Sequence, residues 1–274
     1  MGVIDRGLLW KAARELWPAT LLFGLAIFLV ETVLSYVLPT FQTQLSAQWA
    51  QIKFVQAIVQ AMLGTDAASG LGPEIFLSIP WVHPVVLAIV WAHAISCATR
   101  VPAGEVDRGT MDVLLGLPVS RREVFLSESA ATFTSVLIVL ALAWLGNATG
   151  SKASSVEVST SAAREAIVLV NLLCLYLAVG AFAGLISAVS DRRGKAIAVA
   201  FVLVLASFLL NYLAQFWEPA KRVAFLSVVS YYRPLFVLRD GAWPLRDIAV
   251  LVATAAVAWL SAGIIFSRRD LSTV

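Results

Sequence analysis

A chain of 274 residues that is 60% hydrophobic and 14% charged, with net charge +3 and mean hydropathy +0.86, lies far from a soluble domain, which runs roughly 45–50% apolar and about 25% charged. Its basic residues mostly flank apolar runs, so the surplus reads as charge retention on one membrane face and nucleic-acid binding is set aside. Cys97 and Cys174 stand singly inside apolar runs, with no CxxC pair, which argues against a disulfide framework or a zinc site.

The N-terminal residues show no small-residue cleavage site after a short apolar core, and Gly2 lacks the Ser or Thr of a myristoylation signal. Residues from Ile4 to Trp17 pattern as an amphipathic helix. Lys11, Arg14 and Glu15 share one side, and Leu9, Ala13, Leu16 and Trp17 the other. Such an elbow helix (residues 1–16) is expected in the membrane interface, with the chain turning inward at Pro18. The first span then runs from about Trp17 to Leu38, long enough to cross a bilayer, which takes about 20 apolar residues.

Glu31 lies inside that span. An ionisable residue there is costly and marks a candidate pathway position, a partner for Arg233 or Arg239, or a side chain reaching the headgroups. The following stretch, "FQTQLSAQWAQIKFVQAIVQAMLG", carries Leu45, Trp49, Ile52, Val55, Val59 and Met62 at steps of three and four. Gln44, Gln48 and Gln51 fall away from that stripe. It reads as an amphipathic outer helix, stopped at Gly64 and followed by a loop, "TDAASGLGPE".

Span two is expected from about Pro80 to Thr99 and span three from Val124 to Leu145. Span four runs from Glu165 to Val189, span five from Ala196 to Trp217, and span six from Ile248 to Phe266. The result is an all-α polytopic membrane protein read as one domain, 1–274. Lys and Arg placement puts both termini in the cytoplasm, although Lys221, Arg222, Arg233, Arg239 and Arg246 fall on the outer side.

Chemistry-bearing patterns are few. His83 and His93 lie ten residues apart, about 80° out of register and roughly 15 Å apart on a helix, so one metal cannot easily join them. "GNATGSKA" (146–153) resembles a phosphate loop, but its second glycine comes one residue early, Ser151 precedes the lysine, and Ala153 cannot hold magnesium. The whole stretch "GNATGSKASSVEVSTSAAR" reads as an outer loop. No metal or cofactor is expected on this chain, and no ATPase.

The densest charge lies between spans two and three, in "VPAGEVDRGTMDVLLGLPVSRREVFLSE". Pro102 and Gly104 break the span. "EVDRGTMDVLLGL" suits a short helix with acids Glu105 and Asp107 near its start, then Arg108 and Asp112. Met111, Leu114, Leu115 and Leu117 give it an apolar side, and Pro118 stops it. Ser120 with Glu123 has capping-box spacing.

The ordered residues Glu105, Gly109, Thr110, Leu114, Leu115, Leu117, Pro118, Ser120 and Arg121 resemble the segment between spans two and three in permeases of the ABC-2 type, the type V exporter fold. "YYRPLFVLRDGAWPLRDIAVLV" and the closing "FSRRDL" resemble that family's last outer loop and C-terminus. One departure is Glu128, where the family often has lysine. The resemblance implies a membrane subunit of an ATP-binding cassette exporter in a bacterial inner membrane. It would pair with a second permease copy, identical or paralogous, and with two separate ATPase subunits that hold ATP and magnesium. Residues 100–123 would be the coupling segment, with Arg192, Arg193 and Lys195 of "DRRGK" a second, smaller contact. An alternative keeps the family and puts the work into an extracytoplasmic partner such as a metalloenzyme under assembly. A membrane enzyme with no ATPase partner is a further alternative. A type I importer fits less well, because "ESAA" (128–131) lacks the glycine and Leu-Pro that should follow.

Overall fold

The computed structural model describes residues 5–44, 52–63, 73–154 and 160–270, and these form helices with no strand among them. Among the described residues six helical stretches are long and apolar enough to cross a membrane: Arg6–Pro39, Glu74–Ala98, Arg121–Ala153, Ala162–Val189, Arg193–Leu213 and Leu245–Arg268.

Helix α1 (Arg6–Gln44) begins where the Asp5 Oδ1 accepts the Leu8 N–H at 2.9 Å. The expected turn at Pro18 is absent. Proline removes one donor and so one intrahelical bond, but the buried stripe continues across it: Leu8, Ala12, Leu16, Thr20, Ile27, Glu31 and Ser35 are all buried. Their steps of four and seven keep one face of a single helix turned inward. Ala13 and Trp17, placed on the apolar side by the helical wheel, are exposed instead.

That face packs along α7 (Arg121–Ala153), approached most closely at Gly146 and Gly150. A Cβ at Gly146 would lie 3.0 Å from the Phe28 Cα, and one at Gly150 would meet the Thr32 carbonyl. So "GNATG" is a small-residue helix contact of the kind membrane helices use to bring backbones together. The expected loop after Leu145 is helix as far as Ala153; residues 155–159 of that loop lie outside the described residues.

Of the outer amphipathic helix, residues 45–51 and Gly64, with the stretch 65–72, lie outside the described residues. The remainder is α2 (Lys53–Leu63), where Val59 is buried and the Gln60 Nε2 donates to the Gln215 carbonyl at 3.3 Å. The second span is two helices, α3 (Pro73–Val82) and α4 (Pro84–Ala98). It starts earlier than expected because "IFLSIPWV" is already apolar. Pro84 disfavours helical backbone at His83, so the chain breaks there (φ −58°, ψ 131°) and His83 Nδ1 accepts the Val85 N–H at 3.3 Å.

Helices α3 and α4 share the interior with α8 (Ala162–Val189), each of these two spans having 56% of its apolar window buried. Helix α9 (Arg193–Leu213) has 17% buried and lies at the periphery. The chain then makes a short helix α10 (Glu218–Val223), two 3₁₀ turns, and α11 (Pro234–Asp240). Gly241 ends α11 with φ +67°, a left-handed cap that favours glycine. Helix α12 (Leu245–Arg268) packs against α8.

Where α1, α4, α7 and α8 meet, a polar chain crosses the apolar interior. Thr20 Oγ1 pairs with Ser135 Oγ at 2.6 Å, His93 Nε2 with Ser135 Oγ at 3.0 Å, and Tyr176 Oη with His93 Nδ1 at 2.9 Å. Such interhelical bonds average about 0.6 kcal/mol each in membrane bundles and fix which helices are neighbours. His93 therefore belongs to a polar seam, apart from His83 at its helix cap. Among the described residues no cluster of three metal-ligating side chains occurs. Cys97 and Cys174 are free and buried.

Candidate functional site

The segment after span two folds back on itself in two short pieces. Thr99 ends α4, its hydroxyl donating to the Ile95 carbonyl at 2.7 Å. A kink follows at Arg100–Gly104, whose Ala103 N–H donates to the Ser187 Oγ of α8 at 3.1 Å. The single helix expected over "EVDRGTMDVLLGL" is instead α5 (Glu105–Asp107) and α6 (Met111–Leu115).

Gly109 is the reason for the break. It has φ +66°, its N–H donates to the Val106 carbonyl at 3.0 Å, and the Thr110 N–H donates to the Glu105 carbonyl at 2.9 Å. This pair of bonds is a Schellman closure, which needs a left-handed residue between them. The Thr110 hydroxyl also donates to the Glu105 carboxylate.

Glu105 is the hub of an ion network on the side of the bundle where α1 begins and α12 ends. It is buried, accepts from the Lys11 Nζ at 3.0 Å and forms an ion pair with the Arg108 Nη2 at 3.1 Å. Burial alone pushes its carboxyl up. Hydrogen bonds from Thr110 and Lys11 and the charges of Lys11 and Arg108 outweigh burial and hold it below its ordinary 4.5. Beside it the buried Arg100 guanidinium bridges Glu15 and Glu128. Glu128 is thus the counter-charge of Arg100, which accounts for an acid at the position where the resemblance suggests lysine. The helical wheel placed Lys11 and Glu15 on the polar side of the N-terminal helix, and Glu128 stood out only as a departure from the resemblance; none of the three was assigned to this site. Lys11 and Glu15 lie four apart on one helix side, and that is the only local signal they give.

Of the expected coupling residues, Leu114 turns inward with Met111. They join Leu8, Val124 and Phe266 in a small core that fastens the segment to α1, α7 and α12. Leu115 packs at its edge. Asp107, Arg108, Thr110, Asp112, Leu117 and Pro118 are exposed. The apolar side is therefore divided: Met111 and Leu114 anchor, while Leu117 at 52% exposure and Val113 at 73% point outward. Val113 was missed because its β-branched side chain falls off the stripe that the anchors define.

Ser120 and Glu123 form the expected capping box, with Glu123 N–H to Ser120 Oγ at 3.2 Å and Ser120 N–H to Glu123 Oε2 at 2.7 Å. Arg121 points away from the outward surface and donates to the Arg269 carbonyl and, at 3.4 Å, to the Phe266 carbonyl.

The second turn reaches the same place through one residue. The Arg193 N–H donates to the Asp107 Oδ2 at 3.3 Å and its Nη2 to the Ser96 carbonyl at 3.1 Å, whereas Arg192 and Lys195 are exposed. Gly104 makes room for it, since a Cβ there would sit 3.1 Å from the Arg193 Cδ. From the closing Arg-Arg-Asp, Arg269 donates to the Ala188 carbonyl at 2.9 Å and the Ser190 carbonyl at 3.1 Å, and pairs with Asp191. The 100–123 segment, the 191–193 turn and the end of α12 are thereby pinned into one structure.

Glu31 lies elsewhere, in the opposite half of α1. It is fully buried, and Asn147 Nδ2 donates to its Oε2 at 3.4 Å and to the Ser35 Oγ at 2.8 Å. The expected arginine partners are otherwise engaged. Arg239 pairs with Asp240 at 2.8 Å and Arg233 donates to the Ser230 carbonyl at 2.9 Å.

Comparison with protein families finds a match to the family described as ABC-2 family transporter protein, over residues 11–271. No curated protein matches the chain. The match takes in the first span from Lys11 onward, the other five spans, the ion network and the pinned segment between spans two and three, and the chain belongs to the ABC-2 family of transporter proteins as a membrane-embedded permease subunit of an ABC transporter.

Proposed function

We propose that residues 100–123 couple this permease to separate ATPase subunits, two of which serve a pair of permease copies, and that ATP hydrolysis on those partners drives export. The observation that carries the reading is the division over residues 111–117: Met111 and Leu114 of α6 are buried, while Val113 of α6 and Leu117 just beyond its end stand outward, with Arg108 and Asp112 also exposed. A short helix anchored on one side and mixed apolar and charged on the other can be gripped by a soluble partner. Its anchors carry the motion into α1, α7 and α12. Both termini would then be cytoplasmic, in a bacterial inner membrane, and ATP and magnesium would reside on the partner.

Glu105 and Arg121 take a different part in this reading from Val113 and Leu117. They set the posture of the segment from within. Arg193 joins the second turn to it, and Arg192 and Lys195 remain for direct contact with the partner.

The test is co-purification of the permease with its ATPase partner subunit, using Val113→Asp and Leu117→Asp. Each is expected to weaken association by roughly tenfold or more, the cost of a charge placed in an apolar contact, with the permease itself still monodisperse. Association at wild-type strength in both variants would remove the outward face of α6 from the interface.

A further inference from the structure

A cavity of about 580 Å³ opens between the start of α1, the 100–104 kink, α6 and the start of α9. Its walls bring together four cationic side chains: Lys11, Arg100, Arg108 and Arg193. Two carboxylates share the wall, and both are already engaged. Glu105 holds Lys11 and Arg108, and Glu15 holds Lys11 and Arg100.

Arg193 is different. Its Asp107 hydrogen bond is made by the backbone N–H, and among the described residues its guanidinium donates to the neutral Ser96 carbonyl and to no carboxylate. The Nε atoms of Arg193 and of the buried Arg100 both make no hydrogen bond among the described residues, although each is shielded from solvent. A buried guanidinium donor left unpaired is costly, and the charges of Arg108 and Arg100 bear on Arg193 as well. An anion with several acceptor oxygens would relieve both, because guanidinium groups match phosphate geometry in a fork. Next to this cationic wall the cavity is lined by Leu16 and Ala19 of α1, the apolar beginning of the first span.

We infer that this cavity binds a phosphate group, held by Arg193 with Arg100 and Arg108, with Leu16 and Ala19 covering an apolar portion of the same ligand. Val113 and Leu117 also line this cavity, so the site shares a wall with the surface proposed for the ATPase, and the test therefore reads ligand binding on the permease alone, apart from ATPase association. A lipid headgroup and free phosphate present the same chemistry, so the experiment separates them.

The whole permease, purified in detergent, is titrated with dioctanoyl phosphatidylglycerol, with dioctanoylglycerol and with inorganic phosphate, and binding is followed by native mass spectrometry and thermal shift. The phosphatidylglycerol is expected to bind and the phosphate-free glyceride not. Arg193→Gln should weaken binding by roughly tenfold, the loss of one charge-assisted contact, while Arg193→Lys retains most of it. Arg108→Gln, at an exposed position, gives a second reading if Arg193→Gln fails to fold and should also weaken binding. Arg222→Gln, on the opposite side of the bundle, should bind as wild type. Arg193-dependent binding of inorganic phosphate as well would identify the phosphate group itself as sufficient. Arg193-dependent binding of the lipid alone would identify a headgroup. Equal binding by the Arg193 and Arg108 variants, equal binding of dioctanoylglycerol, or no binding of either phosphate-bearing probe would overturn the assignment. So would an equal loss in Arg222→Gln.

Discussion

Thr110 closes on Glu105 twice, its N–H donating to the Glu105 carbonyl at 2.9 Å and its hydroxyl to the Glu105 carboxylate. Both contacts require the left-handed residue between them. No neighbouring atom lies within 4 Å of where a Cβ on Gly109 would stand. Gly109→Ala therefore isolates backbone strain from crowding. It is expected to destabilise the protein by about 1–2 kcal/mol, the cost of left-handed backbone for an L-residue. Gly184→Ala is the control: it is helical, meets nothing within 4 Å, and gains helix propensity. Thermal unfolding in detergent should place Gly109→Ala below wild type and Gly184→Ala at or above it.

The same pair sets an acid limit. Glu105 is held below its ordinary value in the folded protein. Its contribution is therefore present in full above about 4.5 and is lost as pH falls through the lowered value. Glu105→Gln removes the contribution at all pH values. At neutral pH it should cost about 1–3 kcal/mol, the range for hydrogen bonds to a charged group. The gap between the two proteins should stay constant from pH 7 to 5 and narrow below 4.5. A gap that does not change with pH would assign the loss to packing.

Glu128 tests whether the network is specific to this chain. Arg100 is buried, with 6% of its side chain exposed, and Glu128 is one of its two counter-charges. Glu128→Lys would set two positive charges together where Arg100 cannot reach water. Breaking a buried pair costs about 3–5 kcal/mol. Glu128→Gln keeps a neutral acceptor and should cost less. Folded yield and unfolding temperature should order wild type, Gln, then Lys; Gln and Lys falling together would mean the charge at 128 is not felt by Arg100.

The spans were legible because each is a long apolar run, and the Ser120–Glu123 box because its two residues are three apart and bond only to each other's backbone. The ion network was not legible. Lys11 meets Glu105 across 94 residues, and Arg100 meets Glu15 across 85. On a single helix Lys11 and Glu15 look like a solvated face, and only the fold reveals that face as one wall of a cavity. The α5–α6 break was half visible: Gly109 was noticed as part of a resemblance, but its left-handed backbone is what splits the helix. The tail of α7 was misread for a chemical reason. Gly, Asn, Thr and Ser favour turns in water, whereas between two membrane helices the same small residues permit close packing.

That last contact gives the most direct test of the α1–α7 seam. Gly150 faces the Thr32 carbonyl and Gly146 the backbone of Phe28, with no flexible side chain between that could move aside. A methyl group at either position must push the helices apart. It would also separate Asn147 from Ser35, now 2.8 Å apart, and from Glu31. Gly150→Ala is expected to cost about 1–3 kcal/mol, the usual range for overpacking. Gly146→Ala should cost a similar amount, and the double variant less than the sum, because the first shift already relieves the second site. The measurement is thermal unfolding of the three variants beside Gly184→Ala, where the added methyl meets nothing. If all four proteins unfold like wild type, α1 and α7 do not approach through these glycines. If only the seam variants fall, the stretch that looked like a phosphate loop holds α1 and α7 together.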